Sequence, residues 1–283
     1  MAPARRADPV LLTGGRRALL VCLDDLGFSH GANQAIYDAL RAGAATSAGL
    51  MVPAPWARGA AAAYRGEDVG VHLTLNAELD LYRWGPLTHA PSLLDGDGGF
   101  PRTVRDVWEH ADLDEVRREW RAQVERAILW GFDVSHLAAH LNSVTERPEF
   151  LDVYLDLAEE FRLPVRLPSV GEEARLGFPV RDLAGDRGVL APDWVVSADR
   201  LAGLDREGVT DWLSSLPPGV TELRLQAALD SPDLRAALPA GWSDRVAQQR
   251  LVAAGGPLAG ALSATGTPLV AYRSLRALMR SEA

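Results

Sequence analysis

Short apolar runs alternate along this chain with longer stretches patterned at helical spacing, and that alternation limits the fold more tightly than any other feature. Residues 17–23 (RALLVCL) read as a buried strand, and residues 30–42 as a helix with Ser29 at its N-cap and Gly43 at its stop. Further strands are expected at 45–52, 69–75, 134–141, 163–168, 219–226 and 267–272. Helices are expected near 55–64 and at 112–130, 148–161, 206–216, 244–263 and 273–281. On the helix at 112–130, Leu113, Val116, Trp120, Val124, Ala127 and Ile128 fall on one face. Residues 76–111 and 169–203 read as irregular, the former as an active-site loop rather than a linker. About seven β-then-α units imply a mostly parallel sheet. That number in one α/β domain favours a (β/α) barrel-like fold, distorted, with about seven or eight strands, over an open doubly wound sheet. No composition break marks a second domain, so the expectation is a flexible N-terminal segment (1–15) and a single domain over 16–283.

Composition narrows the function classes. With 283 residues and 47% hydrophobic content the chain can bury a full core. A net charge of -9 argues against nucleic acid and against an anionic membrane surface as partner. Cys22 is the one cysteine, so no internal disulfide forms, and a small thiol inside a strand reads as core rather than nucleophile. The opening MAPARRADPVLLTGG has no apolar stretch of secretory type, and no run approaches the ~18 apolar residues of a spanning helix. The expected location is therefore cytoplasmic.

The stretch LLVCLDDLGFSHGANQAIYDAL, residues 19–40, places two carboxylates, Asp24 and Asp25, at the end of a buried strand. Functional groups of a parallel barrel gather where strands end. Asp24 and Asp25 close the first strand, His72 lies in the third, and His140 lies late in the strand near 134–141. One strand-end aspartate with two distant histidines is a usable divalent-metal set, and the second carboxylate is then free to take a proton. Adjacent strand residues point to opposite sides, but a chain turning at its strand end could bring both acids to one site. The blander readings are a helix-capping turn for the acids and a satisfied core histidine for His72. His136 and His140 would share a face on a helix but lie ~13 Å apart on a strand, and local logic does not choose between them.

With these residues in hand, a family resemblance emerges. CLDDLGFSHGANQAI resembles the opening "DDFGLS…N" motif of the YdjC/ChbG-like (ChbG/HpnK) carbohydrate deacetylases. AATSAGLMV resembles that family's second strand, DVGVHLTL its "GLHLTL" motif, and VSHLAAHLNS its "THLDSHqHvH" strand. VTELRLQAALDSPDLRAAL, with Arg245 further on, resembles its late "ELmcHPg" segment. The motifs run in order from about residue 17 to 275. The resemblance implies a barrel-like fold of polysaccharide-deacetylase type and metal-dependent removal of acetyl groups from N-acetylated sugars. It matches Asp25, His72 and His140 to the metal ligands and Asp24 to the catalytic base. Two departures stand out. Ala138 and Ala139 precede His140 where the family has "DS", with Asn142 at the following histidine. Gln226 and Ala227 replace the late "HP", whose histidine is a candidate general acid, and no histidine follows His140. A missing general acid typically costs ~10²–10⁴ in rate.

The expected chemistry is amide hydrolysis of a small acetylated amine, most simply an acetylated sugar. Asp24 accepts the water's proton and returns it to the amine. The metal is zinc by donor type and magnesium by the resemblance. Expected substrate contacts are Tyr82 and Trp84, which either stack on a sugar or pin the long loop, together with Arg166 and Gln226. Asp95 or Asp97 would bind hydroxyls, and Arg166 would reach substrate or an acid. The alternatives are a non-catalytic metal- or sugar-binding protein and a metal-dependent sugar isomerase. A homodimer is left open.

Overall fold

The computed structural model describes residues 10–144, 147–201 and 203–281. Six parallel strands form one sheet: β1 (Arg17–Leu26), β2 (Ser47–Leu50), β3 (Val69–Leu73), β4 (Leu137–Ala139), β5 (Trp194–Ser197) and β6 (Gly219–Leu225), in the order β4-β3-β2-β1-β6-β5. Side chains alternate across the strands with period two. Leu19, Val21 and Leu23 of β1 join the large outer core under the helices, whereas Leu20 and Cys22 pack inward with Val220, Tyr272 and Leu275. Fully burying an aliphatic side chain of this kind contributes ~1.5–3 kcal/mol. A short helix, Val10–Thr13, precedes β1 within the expected lead-in, of which residues 1–9 lie outside the described residues.

The sheet curls. Val165 bridges the outer edge of β4, and Arg166 beside it still hydrogen-bonds Asp24 on β1 and Glu222 on β6. In a flat sheet β1 would lie ~19 Å from that segment, four strand spacings away, beyond the reach of any side chain. The result is a half-barrel whose concave face holds the polar residues described below.

Among the described residues six strands form, not seven or eight. The runs at 163–168 and 267–272 reduce to single bridges, Val165 to Leu137 and Leu269 to Leu19. Pro164, Pro168 and Pro268 supply no N–H for a longer ladder. Trp194–Ser197, inside a segment read as irregular, is a strand instead. Residues 244–263 form two helices, Trp242–Val252 and Pro257–Thr265, because Gly255 takes φ +75° and Pro257 begins the second. Other elements follow local rules. The Ser29 hydroxyl accepts from the Ala32 amide at the start of His30–Arg41, and the Asp112 carboxylate caps Leu113–Leu129. On this last helix Val116, Trp120, Val124 and Ala127 are buried, while Ile128 is about half exposed. Glu119 and Gln123 are buried on it as well, and Gln123 pins the Thr74 backbone just beyond β3 at 2.9 and 2.8 Å. No helix among the described residues is long and apolar enough to cross a membrane.

Candidate active site

The two aspartates meet at one site through a β-bulge, not through a turn. Cys22 and Leu23 pair with Ser47 and Ala48, but Leu26 pairs with Leu50, so three steps on β1 match two on β2. The extra residue restores the outward face at Leu26 and leaves both acids on the concave side. Asp25 takes φ +64°, a left-handed conformation that aspartate tolerates better than most residues. Asp24 and Asp25 are 3% and 0% exposed.

His72 points inward from β3. His140 follows β4 at the start of a tight turn, in which Leu141 and Asn142 take φ +53° and +54°. Asp25 Oδ1 lies 3.7 Å from His72 Nε2 and 3.8 Å from His140 Nδ1. The two imidazoles meet edge to face at 5.3 Å. Asp25 Oδ2 accepts from Gln226 Nε2 at 2.8 Å and from Arg245 Nη2 at 2.7 Å. Arg245 itself stacks over the Phe28 ring at 4.4 Å. Asp25 Oδ1, by contrast, is buried with no hydrogen-bond partner. A buried carboxylate oxygen without a donor is costly. A divalent ion among Asp25, His72 and His140, whose donor atoms lie within 4.8 Å of one another, would satisfy it. The residues present therefore fit such an ion. Glu78 bonds the far nitrogen of His140 at 3.0 Å, which orients that ring and leaves Nδ1 toward Asp25.

Asp24 sits beside this group, its Oδ1 3.8 Å from His72 Nδ1. Arg166 donates to both its oxygens, at 2.8 and 2.9 Å, and also to Glu222. Gly49 of β2 lies between the strands bearing Asp24 and His72, and a Cβ there would come within 3.3–3.5 Å of both side chains.

The electrostatics follow from these contacts. Burial opposes ionisation of Asp24, but the charges of Arg166 and His72 outweigh it and hold the carboxyl well below the usual range. Burial also opposes ionisation of Asp25, and Arg245 with the two histidines overrides it. Burial pulls His72 down to about 4, against the opposite pull of Asp24. For His140 burial is likewise unfavourable, yet the Glu78 hydrogen bond and charge raise its pKa.

A chamber of about 290 Å³ opens above Asp24, His72, His140 and Gln226. It shares Asn142, Ser197 and Arg224 with a wider cavity of about 690 Å³ that reaches Arg166 and Arg175. Volumes of this order hold small organic ligands.

The structure thus brings together Asp24, Asp25, His72, His140, Arg166 and Gln226. His136 points beneath the site instead, stacked on Tyr272 at 3.7 Å. Arg166 faces inward and makes its hydrogen bonds to two acids. The aromatics pin the loop: the Tyr82 hydroxyl donates to the Phe28 carbonyl at 2.6 Å, and the Trp84 indole to the Asn76 carbonyl at 2.7 Å. Trp84 is 5% exposed, and neither aromatic lines the two cavities. Asp95 and Asp97 are paired with Arg102, at 3.0 Å each, within their own turn. Sequence reasoning missed Glu78 and Glu222. It noted Arg245 without a role. A carboxylate six residues past His72 was the available signal for Glu78.

Comparison with known proteins places this geometry. A model of the family described as YdjC-like protein matches residues 18–252. A carbohydrate deacetylase of Thermus thermophilus is 40% identical over 251 residues, covering 83% of this chain and 85% of that protein. A carbohydrate deacetylase of Brevibacillus brevis is 39% identical over 154 residues, and the match spans 59% of its length. A crystal structure titled as a cellobiose-phosphate cleavage protein of Enterococcus faecalis V583 superposes with a TM-score of 0.76 at 24% identity, covering 92% of this chain and 99% of that one, a likeness of fold alone. The family match spans β1 to β6 and every residue of the Asp25, His72 and His140 group, and the chain belongs to the YdjC-like family.

Proposed function

We propose that this chain is a metal-dependent hydrolase that removes an acetyl group from an N-acetylated sugar or a related acylated amine. The observation that carries the reading is the orphaned Asp25 oxygen facing His72 and His140, with Asp24 held beside them. Relatives that bear the name carbohydrate deacetylase support it. When bound by Asp25, His72 and His140, a divalent ion supplies acidification of water and polarisation of the acyl oxygen. The nitrogen-rich donor set suits zinc better than magnesium. Asp24 accepts the proton of the attacking water. Its tether to Arg166 makes it a weak base but, once protonated, a strong acid, so it passes the proton readily to the departing amine. Gln226 has no proton to give, and its amide instead holds the outer oxygen of Asp25. The chamber admits the acyl group, and the wider cavity the rest of the substrate.

The test is acetate release from a panel of N-acetylated sugars by metal-stripped protein reloaded with zinc or magnesium. Release is expected only with metal, and Asp24→Asn should lower it by ~10²-fold or more. Full turnover by Asp24→Asn would defeat the scheme. Tight metal binding with no release from any substrate would favour a binding protein, the reading that Gln226 keeps alive; conversion without acetate would favour an isomerase.

A further inference from the structure

Beneath the Asp25–His72–His140 group lies a second polar layer that hydrolysis as described does not use. Glu222 projects inward from β6 and is fully buried. Its Oε1 accepts from Arg166 Nε at 2.9 Å and also from Nη2, while its Oε2 accepts from the Tyr272 hydroxyl at 2.7 Å. Arg166 in turn grips both oxygens of Asp24. Tyr272 is fixed on its own account. Its ring stacks on His136 with an interplanar angle of 11°, and its amide donates to Ser47 Oγ at 3.1 Å.

We propose that Glu222 and Tyr272 are positioning residues for Asp24, acting through Arg166. This rests on the reading of Asp24 as proton acceptor. Asp24 holds one edge of the guanidinium and Glu222 the other, so four of its five N–H donors are committed. A planar fork held on two edges cannot pivot, and the carboxylate it grips is fixed in angle as well as distance. Misplacement of a reacting group by about 1 Å can cost ~10²-fold in rate. Stability alone is a weak reason for the arrangement: a buried ion cluster is often no better for stability than apolar residues of the same size. The apolar layer just below, Leu20, Val220 and Leu275, shows that this interior accepts such residues. Tyr272 lies beyond residue 252, where the family match ends, so the anchor comes from the closing helix Tyr272–Ser281 rather than from the matched barrel. The C-terminal segment thereby closes the floor of the half-barrel and steadies the site above it.

The experiment compares unmodified protein with Glu222→Gln and Tyr272→Phe by kcat, KM, zinc affinity and the exchange rate of the Arg166 Nε–H in NMR spectra. Glu222→Gln is expected to lower kcat by ~10–100-fold, the usual size of an outer-shell loss. KM and zinc affinity should stay within about twofold, and Tyr272→Phe should lower kcat by about threefold or more. The Arg166 Nε–H should exchange slowly in the unmodified protein and quickly in both variants. Unchanged kcat with a protected Arg166 proton would overturn the proposal, as would loss of zinc affinity in step with kcat. If Glu222→Gln does not fold, Tyr272→Phe decides alone, since it keeps the ring and its stack. No acetate release by unmodified protein would count against the deacetylase reading only, and Arg166 exchange would still decide whether Glu222 and Tyr272 hold the fork.

Discussion

Asp24 and Asp25 are neighbours in the chain with opposite environments. One is clamped by Arg166, and the other is divided between Gln226 and Arg245 on one oxygen and two imidazoles on the other. The division depends on a single φ of +64° at Asp25. His140 shows the same economy: Glu78 takes one nitrogen and leaves the other for an ion. Glu78→Gln should therefore weaken zinc binding by ~10–100-fold, with the fold retained. Isothermal titration of metal-stripped protein measures this, and an affinity equal to that of the unmodified protein would remove Glu78 from the site.

At the scale of elements, two strands carry glycine where a neighbouring strand brings a histidine close. Gly70 of β3 faces His136, and a Cβ there would fall 2.3 Å from its Nδ1 and 2.4 Å from its carbonyl oxygen. Part of that obstruction is backbone, so a rotamer change cannot relieve it. Gly70→Ala should destabilise the protein by ~1–3 kcal/mol, as overpacked interiors do, and pull His136 off Tyr272. Urea unfolding is the check, and a midpoint unchanged from the parent would show that the strands yield more easily than the distances imply. A glycine inside an apolar strand is a readable sign of close approach. Its partner is not readable, because His136 is 66 positions away and meets Gly70 only through the β3–β4 pairing.

The whole molecule carries a pH signature in the metal-free state. Burial pushes His136 well below its ordinary range and His72 to about 4. Both are neutral in the folded protein, whereas the unfolded chain protonates them near pH 6.5. Below that pH the unfolded state binds more protons, so stability falls as pH falls, by up to ~1.4 kcal/mol per pH unit for each group. His140 has a raised pKa, so its contribution is full below about pH 6.5 and is lost as pH rises through the folded value. Stability of metal-free protein should peak near pH 6.5, seen as the highest urea midpoint among measurements at about pH 5, 6.5 and 8. A midpoint that does not fall between about pH 6.5 and 5 would contradict the burial of His136 and His72 as neutral groups, and one still climbing at about pH 8 would contradict the raised pKa of His140.

What local rules control was legible in the sequence. Periodicity set the alternating strands and helices, Ser29 marked a helix cap, Asp24, Asp25 and His72 stood out by residue type, and the family resemblance chose His140 over His136. Sequence reasoning misjudged elements where proline removed the ladder donors, at 163–168 and 267–272. It also missed the half-buried strand Trp194–Ser197. How the acids share one face was settled by the fold, through the bulge that three residues on β1 make against two on β2. The fold alone joined Asp24 to Arg166, 142 positions apart, and Asp25 to Arg245, 220 positions apart. The physical reason is that a strand's pattern records which way a side chain points, whereas the partner it meets is set by the curl of the sheet, a property of all six strands together.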